Sequence, residues 1–214
     1  MDEYLKTFTE KYGRWRDGGN FTVSSRVIPV GESLQPKQRI LTREQVTQVF
    51  KNARSFALTE CRCRGHYKRC DKPRDVCLLI DDHADLAVAK GRAWRITLED
   101  VEPILKKAGD HGLVHLTLYE PGNRIYAICS CCPCCCHDLQ LILKYGRRDL
   151  IERSDFIAVT DPDRCTQCGA CIDSCVFGAR EMHGETPEYH SEACMGCGLC
   201  VSACPESAIV MRDR

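Results

Sequence analysis

Eight cysteines in the C-terminal quarter of this 214-residue chain are spaced for metal chemistry. They read Cys165-x-x-Cys168-x-x-Cys171-x-x-x-Cys175 and, 29 residues on, Cys194-x-x-Cys197-x-x-Cys200-x-x-x-Cys204-Pro205. Three thiolates spaced this closely can wrap one iron–sulfur cubane from a single tight loop. The fourth sits a turn into the following helix, points away, and ligates the other cluster. The spacing therefore assigns Cys165, Cys168, Cys171 and Cys204 to one [4Fe–4S] cluster, and Cys194, Cys197, Cys200 and Cys175 to a second. Gly169 and Gly198 fall between ligands, where a missing side chain lets backbone N–H groups approach the sulfurs and offset their charge. Zinc would not need the same set of four twice over.

The pattern resembles the bacterial-type 2[4Fe–4S] ferredoxins over about 50 residues. The two copies align as an internal repeat in which Ala179 matches Ala208. One position departs: Val176 follows Cys175 where that family carries proline, whereas Pro205 follows Cys204 as expected.

Ten further cysteines lie upstream. Cys61, Cys63, Cys70 and Cys77 are interleaved with Arg62, Arg64, Lys68, Arg69, Lys72 and Arg74. Cys129, Cys131, Cys132, Cys134, Cys135 and Cys136 then crowd into eight positions around Pro133, followed by His137. A core accepts cysteine as a small hydrophobe but has no need for this density. Adjacent cysteines cannot pair with each other without strain. Metal ligation by the two groups together is the better reading, and Cys61 and Cys63 must then leave an extended path to face one metal. Two cubanes would take eight of the ten thiolates. A larger or non-cubane cluster, with paired cysteines bridging irons, is the alternative, and spacing does not separate them. The surrounding bases could compensate thiolates, dock an acidic partner or bind an anionic substrate. His137 reads as a cap on the next helix rather than a ligand. His183 and His190, between the C-terminal repeats, read as surface residues within reach of a cluster sulfur.

These residues need elements to hold them. Tyr4, Leu5, Phe8 and Tyr12 share one face of a short helix broken by Gly13, Gly18 and Gly19. Residues 21–30 are β-prone. Thr42 to Gln45 form a capping box, and Val46, Val49, Phe50, Ala53, Phe56 and Ala57 continue it as an apolar helical stripe. Residues 77–90 read as helix up to Gly91. Thr97 caps a further helix carrying Val101, Ile104, Leu105 and Ala108, with Gly112 as its stop. Val114 to Tyr119, Pro121-Gly122-Asn123 and Arg124 to Cys129 make a hairpin, an order shared with winged helices. Residues 137–146 form a last helix before the repeats. The fold expected is α+β, with a helix and hairpin cysteine-rich domain over 1–154 and a ferredoxin-like 2[4Fe–4S] domain over 155–214.

Composition narrows the class. The start, MDEYLKTFTEKYGRW, has no apolar leader and no run is long enough to span a membrane, so the expected compartment is the cytoplasm. Eighteen cysteines in such a setting indicate metal clusters rather than disulfides, in an anaerobic cell. Formal charge is zero overall but uneven. From Asp155 onward ten acids face four arginines, about −6, which leaves about +6 for the rest. No dinucleotide fingerprint or phosphate loop is present, and sparse aromatics among the bases argue against nucleic acid as a partner.

The longer pattern resembles anaerobic bacterial and archaeal 4Fe–4S dicluster proteins over about residues 42–210. The matching stretches are Cys61-Arg62-Cys63-Arg64, Cys70-Asp71-Lys72-Pro73 through Cys77, Gly112-Leu113-Val114-His115, and Cys129 to Cys136. That resemblance implies an iron–sulfur electron-transfer protein serving a redox partner protein, without naming a reaction. Two other readings stand beside it. One is a reductase whose open-site or non-cubane cluster in the N-terminal half acts on a small substrate such as a disulfide. The other is an iron–sulfur redox sensor.

Overall fold

The computed structural model describes residues 1–20, 25–28, 53–120, 124–148 and 151–214. The capping box at Thr42, the apolar positions Val46, Val49 and Phe50, and the turn at 121–123 lie outside the described residues.

Helix α1 (Glu3–Asp17) starts at Asp2, whose side chain accepts from the Leu5 N–H, and buries Leu5 and Tyr12. Gly13 does not break it. The helix runs one turn further and stops at Gly18, because a single glycine costs only about 1 kcal/mol in a helix interior.

A seven-stranded sheet follows, in the order β4-β2-β3-β6-β5-β1-β7. Its strands are β1 (Ser25–Ile28), β2 (Phe56–Glu60), β3 (Asp75–Ile80), β4 (Trp94–Ile96), β5 (Val114–Glu120), β6 (Arg124–Cys131) and β7 (Ile151–Glu152). All described pairings in it are antiparallel except β1 with β7. Between them run α2 (Arg62–Tyr67), α3 (Asp81–Ala89), α4 (Leu98–Asp110) and α5 (His137–Tyr145).

Three expectations change here. Phe56 and Ala57 belong to β2, not to a helix. The stretch 77–90 is split into strand β3 and helix α3. Its Val76-Cys77-Leu78 run is buried on successive positions, which suits a strand covered on both faces, and a short apolar run does not distinguish that from a buried helix. The hairpin is not a wing, since β6 pairs with β3 and β5 with β1, so both its strands are interior. The helix capped at Thr97 forms as expected, with a reciprocal Thr97–Asp100 box and Gly112 at φ +63° beyond its end.

Strand alternation sorts the core. Val114, Leu116, Leu118 and Ala127 pack with Leu5, Tyr12, Leu139 and Ile142 on one face. Leu78, Ile80 and Ile128 pack with Val101 and Leu105 of α4 on the other.

After β7 the chain builds smaller units. β8 (Phe156–Thr160) pairs antiparallel with β11 (Ile209–Asp213), and β9 (Arg180–His183) pairs with β10 (Thr186–Tyr189). Two short helices, α6 (Ala170–Asp173) and α7 (Leu199–Ala203), start at Gly169 and Gly198. Both glycines have φ near +75°, a conformation other residues resist. No helix among the described residues is long and apolar enough to cross a membrane.

Candidate metal centres

The C-terminal repeats fold so that each completes the other. Cys165, Cys168 and Cys171 line a cavity of about 450 Å³ together with Cys204 from the second repeat. Cys194, Cys197 and Cys200 line a smaller space together with Cys175 from the first. The two sets differ in exposure. Cys168 lies on the surface, whereas Cys194, Cys197 and Cys200 are buried.

The surroundings suit thiolate ligands of an anionic cluster. All eight thiols are free of disulfides. Backbone N–H groups point at sulfur in symmetric fashion: Ala179 N donates to Cys175 Sγ at 3.2 Å and Ala208 N to Cys204 Sγ at 3.3 Å. Gly196 N donates to Cys194 Sγ at 3.4 Å. Such donors stabilise charge on sulfur. Burial pushes the Cys200 thiol up to about 11 and the Cys197 thiol higher still. Bare, these sulfurs would hold their protons; a metal displaces them.

Arg180 spans the two sets. It is 5% exposed, its Nη1 is 2.9 Å from Thr160 Oγ1 and 3.9 Å from Cys171 Sγ, and its side chain also hydrogen-bonds Cys200. Its Nη2 has no partner among the described residues. A buried cation that reaches one sulfur of each set, with its guanidinium 4.5 Å from the Tyr189 ring centre, fits a place where negative charge is expected. His190 pairs instead with Glu181, and His183 sits at the end of exposed β9.

The ten upstream cysteines divide unevenly, six and four. Cys77 on β3 and Cys129 on β6 lie one step beyond the Leu78–Ile128 pair, and each thiol shifts the other's proton affinity. Cys131, two residues along β6, faces the same way and touches Cys129 and Cys136. Cys61 is the N-cap of α2, so the chain turns there and Cys63 swings round beside it, reaching Cys136, the N-cap of α5. The contacts Cys61–Cys77–Cys129–Cys131–Cys136–Cys63–Cys61 close a ring. Cys61, Cys129 and Cys136 are held low, each by hydrogen bonds from two ring neighbours, and the intervening thiols are pushed up. The other four, Cys70, Cys132, Cys134 and Cys135, gather on the opposite side of the loop.

His137 does not cap α5. It is the helix's first residue, and its ring lies between Cys63 Sγ (3.1 Å from Nδ1) and Tyr12 Oη (3.2 Å from Nε2), stacked on Phe8 at 3.8 Å. The amphipathic N-terminal helix thus closes over the six-sulfur ring. Of the bases in the 62–74 loop, Arg64 is buried at 2% exposure. Its Nη1 contacts the Ser130 carbonyl (2.9 Å) and Cys132 Sγ (3.8 Å). Sequence reasoning missed Arg180 as a site residue and named Arg64 only as one of six bases that could compensate thiolates. Nothing local marks a buried arginine among exposed ones.

Residues 157–205 match the family of 4Fe-4S dicluster domains. The chain is an iron–sulfur protein, and electron transfer is the general function that this match supports. The match stops short of the N-terminal sheet, which carries its own cysteines. No curated protein matches the chain.

Proposed function

We propose that this protein carries single electrons between a redox partner protein and its own N-terminal sulfur centre, through two [4Fe–4S] clusters. Cys165, Cys168, Cys171 and Cys204 hold the outer cluster; Cys194, Cys197, Cys200 and Cys175 hold the inner one. The ring of Cys61, Cys63, Cys77, Cys129, Cys131 and Cys136 holds the third iron–sulfur centre. The clusters supply the one-electron chemistry. The chain's own residues supply ligands, backbone N–H donors and the Arg180 charge that set each potential.

The observation carrying this reading is a graded burial across one continuous core. The outer set reaches the surface at Cys168. Three of the four inner cysteines are buried and Cys175 is half-buried, and Phe177, Met195, Cys197 and Leu199 pack in the same apolar cluster as Cys131, Cys136 and Leu139. An electron entering at the surface thus meets the inner cluster, then the ring, without crossing solvent.

The test is rapid-mixing reduction of the anaerobic full chain by a low-potential protein donor, with the centres followed spectroscopically. The expected order is C-terminal clusters first, then the N-terminal centre. In Cys194→Ser the N-terminal centre should still assemble but its reduction should slow at least tenfold. Unchanged reduction in that variant would remove the inner cluster from the path.

A further inference from the structure

Four of the N-terminal sulfurs stand closer together than a cubane allows. The Sγ atoms of Cys70, Cys132, Cys134 and Cys135 all lie within 4.8 Å of one another. Cys70 Sγ is 3.8 Å from Cys132 Sγ and 4.0 Å from Cys135 Sγ. Among the described residues, no such group forms from the eight C-terminal cysteines, and the sulfurs of Cys165, Cys168, Cys171 and Cys204 line a space of about 450 Å³. The same structure therefore draws that cubane-type set open and the N-terminal four tight.

The spacing has a simple meaning. A zinc–thiolate bond is about 2.3 Å, and the edge of a tetrahedron is about 1.6 times its centre-to-corner distance, so four thiolates on one ion sit about 3.8 Å apart. A cubane interposes a cage of iron and sulfide and holds its thiolates wider. We infer that Cys70, Cys132, Cys134 and Cys135 bind one tetrahedral metal ion of the zinc class, and not an iron–sulfur cluster.

The surroundings fit that charge. Four thiolates on a divalent ion leave a net charge of about −2. Arg64 Nη1 lies 3.8 Å from Cys132 Sγ, and the Nε and Nη2 of this buried arginine have no partner among the described residues. Arg69 Nη1 donates to the Cys134 carbonyl at 3.2 Å. The backbone N–H groups of Lys72 and Arg69 donate to Cys70 and Cys135. Pro133 and the turn around it let three ligands come from four consecutive positions. The ion would tie the loop after α2 to the loop before α5. α2 with its N-cap carries Cys61 and Cys63, and the N-cap of α5 is Cys136, so the site clamps half of the six-sulfur ring in register. The role is structural, and it stands whether or not the electron-carrier reading holds.

The experiment is metal and acid-labile sulfide analysis of the full chain, produced with both iron and zinc supplied and purified anaerobically, beside Cys134→Ser/Cys135→Ser. The wild type should carry one zinc per chain. The double variant should lose it at least fivefold, with iron and sulfide unchanged. One iron without matching sulfide in place of zinc supports the same site. Loss of about four irons with their sulfide and no loss of zinc would overturn it, as would a wild type whose only metal is cluster iron. The wild-type analysis decides on its own should the variant not fold. Failure of the carrier reading would show elsewhere, as missing iron in the C-terminal sets with the zinc intact.

Discussion

Arg180 and His115 show what single residues contribute. Arg180 places one positive charge between two sets of cluster sulfurs, and removing it should favour the oxidised, less negative state of both. Replacing it with leucine is expected to lower both C-terminal potentials by on the order of 50 mV, with Arg180→Lys intermediate, by spectroelectrochemical titration. Unchanged potentials would make Arg180 a packing residue. His115 is wholly buried on β5, bonded at Nδ1 to Ser130 Oγ (3.0 Å), and burial pulls it down to about 4. An unfolded histidine titrates near 6.5. Between those values the unfolded chain binds a proton that the folded one refuses, so stability is full above about 6.5 and falls as pH drops toward 4, by on the order of 3 kcal/mol. His115→Leu should flatten that part of the stability–pH curve in anaerobic denaturant titrations; an unchanged slope would assign it to other groups. Neither residue was legible in the sequence. His115 sat in a recognised Gly-Leu-Val-His stretch and Arg180 in none, and in both cases the burial that gives them meaning is set by distant strands.

At the scale of elements, the C-terminal repeat was the most legible part, because ligand spacing and helix caps are local. Cys175, at the end of the turn after α6, lines the other repeat's space. Cys175→Ser is therefore expected to damage the cluster of Cys194, Cys197 and Cys200 while sparing that of Cys165, Cys168 and Cys171. Loss confined to the latter, by iron content and spectroscopy, would contradict the exchange. Gly196 is a second local test. Its φ is +72° and an added Cβ would lie 2.2 Å from the Phe156 carbonyl oxygen. Gly196→Ala should cost about 3 kcal/mol or more and lower occupancy of the inner cluster first. The N-terminal elements were harder. The α4 helix announced itself through its capping box, whereas β3 and α3 were merged, since neither propensity nor period separates a buried strand from the helix it runs into. The hairpin was found, but its interior place depends on β1 and β3, which pair with it from far along the chain. The ten cysteines were read as ligands, yet their division into six and four follows from strand alternation at Cys77, Cys129 and Cys131, with two helix N-caps turning Cys61 and Cys136 toward them.

Across the whole molecule, one apolar cluster joins the N-terminal sheet to the C-terminal repeats. Val176, standing where the ferredoxin pattern has proline, packs against it beside buried Phe177, so that departure serves the junction. The Ser154 N–H to Met195 carbonyl bond at 3.0 Å fastens the inner loop to the connector. The uneven charge belongs at this scale too. The C-terminal part carries about −6 before any cluster charge is added, so a partner docking at the Cys168 edge should present bases. Its association rate should fall several-fold from low to physiological salt; a rate indifferent to salt would place docking elsewhere.

The proposed electron path begins with two cubanes with exchanged ligands, side by side at its exposed end. EPR of the fully reduced, anaerobic full chain tests it most directly. Two neighbouring reduced cubanes should give a broadened spectrum from interacting spins, and Cys175→Ser should abolish that interaction while leaving the signal of the outer cluster. Two simple, non-interacting signals in the wild type, or a spectrum that Cys175→Ser leaves unchanged, would contradict it.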